Sequence, residues 1–141
     1  MLQIAYKIRR QTVQPFIGHS CKFYSGVGGM KIDDIGSNSD YAEEAFTFEQ
    51  TGELSGDVVL EFGAPWCGHC QAASSAIKEA VTEYSRLRHI KIYDGKGKPL
   101  GRAFKVKLWP TLILLQNGNE VARLVRPLRS DEVREFISKV D

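Results

Sequence analysis

Two cysteines separated by two residues, Cys67-Gly68-His69-Cys70, stand between an apolar run, Val58-Val59-Leu60-Glu61-Phe62, and a helix-forming run that begins at Gln71. No other feature constrains the chain as strongly. A strand that ends just before such a pair, and a helix that starts from it, put one sulfur at a helix N-terminus facing solvent and hold the other beneath it. That is the arrangement a reversible dithiol–disulfide couple needs. The competing reading is a buried core pair or half a zinc site. A structural zinc ion takes about four ligands at suitable spacing, and the sequence holds no second Cys-x-x-Cys.

Composition narrows the setting. A chain of 141 residues fits one domain with a real core and an added tail. Its hydrophobic content of 43% and charged content of 26% suit a globular domain. A net charge of +2 gives no case for nucleic acid as a partner. Three cysteines are too few for a disulfide scaffold. No run approaches the roughly 18–20 apolar residues of a membrane span. Lys7, Arg9 and Arg10 are followed by Gln11, Thr12, Gln14, His19 and Ser20 rather than by an apolar stretch, so no secretory signal is expected. The expectation is a cytoplasmic monomer with no nucleic-acid or membrane partner.

Along the chain, residues 1–40 show no sustained periodicity and are expected to form a disordered or loosely attached extension. Met30, directly after Gly28-Gly29, is a candidate internal translation start. Cys21 beside His19 is either a second redox partner or an inert thiol. The domain is expected over 41–141. A short helix is read over Glu49–Leu54 and a buried strand over Val58–Phe62. Cys70–Leu87, free of glycine and proline, sets Ala73, Ile77, Ala80, Val81 and Tyr84 on one helical face. A second strand spans His89–Tyr93, and a weak helix spans Leu100–Phe104. Thr111–Gln116 and Glu120–Val125 flank the hairpin signal Asn117-Gly118. Ser130 caps a final amphipathic helix through Val133, Phe136, Ile137 and Val140. This order gives an α/β fold: a central mixed sheet with helices on both faces.

With the cysteine pair at a strand–helix junction and Pro110 just before a strand, residues from about 45 to the end resemble the thioredoxin superfamily. The resemblance rests on Ala64-Pro65-Trp66-Cys67-Gly68-His69-Cys70, Trp109-Pro110-Thr111 and the Asn117-Gly118 hairpin. Within it, the Cys-Gly-His-Cys motif with Glu61 upstream is similar to protein disulfide isomerase domains, since ordinary thioredoxins have Pro in place of His69 and Asp in place of Glu61. Two departures stand out. Gly63 replaces an aromatic residue usual in both groups, and Arg126-Pro127 stands where thioredoxins have a glycine that lets substrates approach.

Roles for single residues follow. Cys67 is the expected nucleophile, because a helix N-terminus lowers a thiol pKa from about 8.5 into the range of roughly 3.5–7.5. Cys70 then resolves the mixed disulfide. His69, if cationic, favours the dithiol and makes the disulfide more oxidising; the plainer reading is an exposed spectator. Potentials from thioredoxin to protein disulfide isomerase span roughly 90 mV, about 4 kcal/mol for two electrons, and the chain's is expected above the thioredoxin end. Glu61, in an apolar strand, is expected to have a raised pKa and to relay protons to Cys70. Lys91 occupies the spacing at which thioredoxins set a lysine beside that acid; a structural ion pair is the alternative. The resemblance implies that Pro110 is cis and packs on the cysteines, leaving the Trp109 backbone open to an extended peptide. Trp66, Gly68, Trp109 and Pro110 are then the substrate-binding rim. Arg126, with Arg123 and Arg129, forms either a basic edge for acidic targets or a solvated face.

The function expected is reduction of protein disulfides, with thioredoxin reductase or a similar donor supplying electrons and no cofactor or metal bound to this chain. The rivals are a disulfide oxidase or isomerase, and a non-catalytic client-binding module.

Overall fold

The computed structural model describes residues 36–140. Met30, Cys21 and most of the expected extension therefore lie outside the described residues. Four strands, β1 (Asp57–Gly63), β2 (Arg88–Tyr93), β3 (Thr111–Gln116) and β4 (Asn119–Val125), form one mixed sheet in the order β2-β1-β3-β4. β1 runs parallel to β2 and antiparallel to β3. Its central place explains its sequence: Val58 to Gly63 are all buried, and a strand covered on both faces reads as a continuous apolar run. Asn117 and Gly118 both take positive φ, 51° and 84°, which the tight β3–β4 hairpin requires.

Helices α1 (Phe48–Thr51), α2 (Gly68–Val81), α3 (Pro99–Ala103) and α4 (Ser130–Ile137) cover the sheet, with a 3-10 turn at Ser138–Val140. Val59, Leu112 and Leu114 point to one face and pack with Ala73, Ile77 and Ala80 of α2 and with Val133, Phe136 and Ile137 of α4. On the opposite face Phe62 meets Phe104, which in turn meets Phe48 of α1 edge-on at 4.9 Å between centroids. Alternation along β1 thus gives Val59, Glu61 and Gly63 to the α2 side.

Three expectations change. The long helix stops at Val81 rather than Leu87, because the chain turns there through Glu83 N–H to Ala80 O and Tyr84 N–H to Val81 O. Tyr84 and Leu87 still reach the core, but from turns. The last helix is capped by Arg129 rather than Ser130: the Glu132 carboxylate accepts the backbone N–H groups of Leu128 and Arg129. Residues 36–40, read as part of a loose tail, are instead attached to the domain. Asn38 N–H donates to His89 O at 3.1 Å, Lys91 N–H donates to Asn38 Oδ1 at 2.7 Å, and Tyr93 N–H donates to Ala42 O at 2.7 Å. This segment satisfies the outer backbone groups of β2, which would otherwise be an open edge.

Candidate active site

β1 ends at Gly63, the chain turns through Ala64-Pro65-Trp66, and Cys67 becomes the N-cap of α2. Cys67 Sγ accepts the Cys70 backbone N–H at 3.3 Å, so a sulfur satisfies one of the amides that the first helical turn leaves without a partner. Both cysteines are free thiols and largely buried, at 8% and 3% exposure. They share a small cluster with Ala64, against which Tyr41, Tyr93 and Trp109 pack. Burial first, then the hydrogen bond with Cys67, pushes the Cys70 thiol up to about 11. Near neutral pH Cys70 therefore holds its proton, and something must take it before this sulfur can attack. Gly68 and His69, between the two, are exposed.

Glu61 is the most buried acid of the sheet, at 1% exposure. Its carboxylate is not unpaired. His89 Nε2 lies 2.7 Å from Oε1, and the Tyr41 hydroxyl donates to Oε2 in a very short hydrogen bond. The expected rise of its pKa is overturned for that reason. Burial alone would raise it, but the bond and charge of His89, the bond from Tyr41 and the charge of Lys91 outweigh burial and hold the carboxyl below its ordinary value. Lys91 is level with Glu61 in the β1–β2 register, yet its ammonium sits over the Tyr41 ring at 4.5 Å and bonds Ser39 O at 3.3 Å. The β2 side chain hydrogen-bonded to the acid is His89.

His89 and Tyr41 are therefore site residues that sequence reasoning missed. His89 carried a usable signal: it stands two residues before Lys91, so strand alternation sets both on one face. Tyr41 carried only an indirect one. A Cβ at Gly63 would lie 2.5 Å from Cys70 Sγ and 2.7 Å from the Tyr41 hydroxyl, so the missing aromatic side chain at 63 leaves the space the tyrosine fills.

At the mouth, Trp66 is 64% exposed and meets the Trp109 ring edge-on, with centroids 5.5 Å apart. Trp109 is held from behind by its indole N–H donating to the buried Asp94 carboxylate at 2.9 Å. The Trp109–Pro110 peptide bond is cis, and Pro110 is buried. The Trp109 carbonyl is not open as expected: Arg126 Nε donates to it at 2.9 Å. Two of the three arginines of the basic edge have acidic partners. Arg123 pairs with Glu120 at 2.7 Å and Arg129 with Asp131, which leaves Arg126 as a structural clasp on the rim. Among the described residues no cluster of ligating side chains suits a metal ion, and no helix is long and apolar enough to cross a membrane.

Comparison with known proteins agrees with this geometry. The family model Thioredoxin matches residues 40–139. A solved structure of thioredoxin 2 from Pseudomonas aeruginosa PAO1 in its reduced form is 45% identical; the match covers 72% of this chain and 94% of that one, with a TM-score of 0.65. Thioredoxin Asp f 28 of Aspergillus fumigatus is 29% identical over 86 residues, 61% of this chain and 80% of the relative. A protein disulfide-isomerase of Hordeum vulgare is also 29% identical over 89 residues, 58% of this chain, but the match spans only 17% of that protein.

Proposed function

The chain belongs to the thioredoxin family, and from that premise we propose that it reduces protein disulfides through the Cys67–Cys70 couple. The observation that supports this most directly is the Cys67 sulfur seated on the Cys70 amide in the first turn of α2, with Cys70 one turn deeper. Cys67 attacks one sulfur of a target disulfide, forms a mixed disulfide and releases the first target thiolate. Cys70 loses its proton and attacks Cys67 Sγ, which closes the intramolecular disulfide and releases the second thiolate. Two electrons pass from the dithiol to the target. A thioredoxin-reductase-type donor then restores the dithiol, and a reducing compartment such as the cytoplasm suits that direction. Trp66 and Trp109 offer an extended peptide an apolar rim, Gly68 leaves room beside Cys67, and Pro110 shapes the floor.

Insulin-disulfide reduction tests the proposal. Turnover by the unsubstituted protein that falls to background in Cys67→Ser supports it; no turnover by either leaves a client-binding role instead. A second reading, net oxidation or isomerisation, is favoured by His69, exposed at the start of α2 and between the two cysteines in sequence. The equilibrium potential against glutathione separates the two. A value near about −270 mV belongs with reduction, and one near about −180 mV with isomerisation. His69→Pro should lower it, and an unchanged value removes His69 from the account.

A further inference from the structure

Arg126, the residue after β4, holds a backbone conformation that strains any side chain. Its φ is 53°, in the left-handed region that glycine occupies without penalty. The turn aims two donors at the neighbouring segment. The Arg126 backbone N–H donates to Pro110 O at 2.9 Å, and its Nε donates to Trp109 O at 2.9 Å. Glycine would supply the first bond without strain. What the arginine adds is the second bond and a cation on the rim.

That cation is left without an acid. Arg123 pairs with Glu120 and Arg129 with Asp131, while Asp94, the carboxylate that meets Trp109, is buried and takes the indole N–H. Arg126 is half-buried, and with Nε on a carbonyl its Nη1 and Nη2 make no hydrogen bond or ion pair among the described residues. A guanidinium held by one edge keeps its other donors as a fixed planar fork, which matches a carboxylate end-on. The carbonyl that holds it belongs to Trp109, whose ring packs on the cysteine cluster. The open fork therefore stands one residue from the wall of the reacting sulfurs.

An extended peptide laid along Trp109 meets a carbonyl already engaged by this arginine. Main-chain pairing accepts any sequence, and side-chain contacts beside it set the preference. We propose that Arg126 is a specificity-determining residue: Nε stays on the Trp109 carbonyl, and the two Nη groups take a carboxylate of the target. The chain then prefers disulfides whose attacked cysteine lies within two residues of Asp or Glu. This deepens the disulfide-reduction reading given above and rests on it. The exchange between sulfurs is the same for every target; the arginine acts on how firmly an acidic segment is held while Cys67 attacks.

Peptides that carry one cysteine as a mixed disulfide with 2-thiopyridine test this, because attack by Cys67 on the peptide sulfur expels 2-thiopyridone, an uncharged chromophore. The peptides differ only in having Glu, Gln or Lys at every position within two residues of the cysteine. Each second-order rate constant is divided by that of 2-mercaptoethanol with the same peptide, which removes intrinsic reactivity. For the unsubstituted protein the corrected value should be roughly tenfold higher for Glu than for Gln, the scale of a charge-assisted pair, and lowest for Lys. Salt raised to about 1 M, where the Debye length is about 3 Å, should shrink that preference. Arg126→Gly, which suits the left-handed backbone, should bring the Glu-to-Gln ratio to about one. An arginine that only braces the rim would change all the rates together and leave their ratio alone. That result overturns the proposal, and so does a ratio within about twofold of one in the unsubstituted protein, which is what screened exposed charge supplies. If Arg126→Gly fails to fold, Arg126→Gln decides in its place, since an amide can still donate to the Trp109 carbonyl but carries no charge: a lost preference supports the selection, and a kept one overturns it. No release from any peptide by the unsubstituted protein overturns the oxidoreductase reading, and the preference with it. Equal release from all of them leaves that reading standing and removes only the role of Arg126.

Discussion

The two sulfurs stand three residues apart and live under different rules. Cys67 is governed by its own backbone: the next turn of α2 supplies the amide that caps it, and a rim of tryptophans surrounds its approach. Cys70 is governed by residues far away in sequence. Tyr41 comes from the segment laid along β2, Glu61 from β1 and His89 from β2. The front of the site is built from a motif and the back from a tertiary network. A nucleophile at a helix N-terminus needs charge stabilisation, which local amides give at once. A buried thiol meets an environment that only converging side chains build.

The largest test of this contrast is at Gly63. Gly63→Val would drive a branched side chain between Cys70 and the Tyr41 hydroxyl, where even a Cβ finds atoms at 2.5 and 2.7 Å. Overpacking of this kind costs about 1–3 kcal/mol or more, read as a lower midpoint in urea unfolding. In a single-turnover reaction with a small aromatic disulfide, the second phase, in which Cys70 attacks the mixed disulfide on Cys67, should slow sharply as well, while the first, the attack by Cys67, persists at temperatures where the variant is folded. A second phase that survives Gly63→Val would show that the back of the site does not depend on that close approach.

A smaller effect is expected at the front. Trp66→Ala removes a largely exposed ring that meets Trp109 edge-on. Loss of one aromatic anchor is worth about 1–2 kcal/mol at a docking surface, so kcat/KM for insulin should fall roughly tenfold. The small aromatic disulfide, which needs little docking, should react at nearly its normal rate. Equal losses on both substrates would mean that Trp66 shapes Cys67 itself.

The same contrast explains what the sequence made legible. β1, β3 and the hairpin announce themselves through runs of neighbours: an apolar stretch, a second stretch, and Asn117-Gly118 between strands. The dithiol was readable for the same reason. The end of α2 was not, because no glycine or proline stands between Val81 and Leu87, and Tyr84 and Leu87 keep helical spacing while packing from turns. At the back of the site the sequence shows Glu61 and Lys91 but not that His89 is the β2 residue bonded to the acid. Side-chain direction decided it: the ammonium turns out over Tyr41, and the imidazole turns in toward the acid. The empty volume at Gly63 was visible as a departure from the family pattern. What fills it arrives from a segment whose sequence shows no periodicity and whose order depends on hydrogen bonds to β2.

The smallest expected effect is on stability, and it sets the two ends of the network against each other. Glu61 has a folded-state pKa below its ordinary 4.5, so folding favours its ionised form. The stability this contributes is present above about pH 4.5 and is lost as pH falls through the lower folded value, where the carboxylate finally protonates. Cys70 acts at the opposite end: raised from 9.0 to about 11, it favours folding while protonated. Its contribution is complete below about pH 9 and fades as pH rises toward 11, because the unfolded chain releases that proton first. Thermal midpoints measured across pH should therefore show an acid limb and an alkaline limb with separate owners. His89→Asn should weaken the acid limb, since the largest force lowering the Glu61 pKa is gone, and leave the alkaline one in place. Cys70→Ser should remove the alkaline limb and spare the acid one. If His89→Asn left the acid limb at full size, the imidazole would be only a neighbour of Glu61, and the buried end of the site would owe its ionisation to Tyr41 and Lys91 alone.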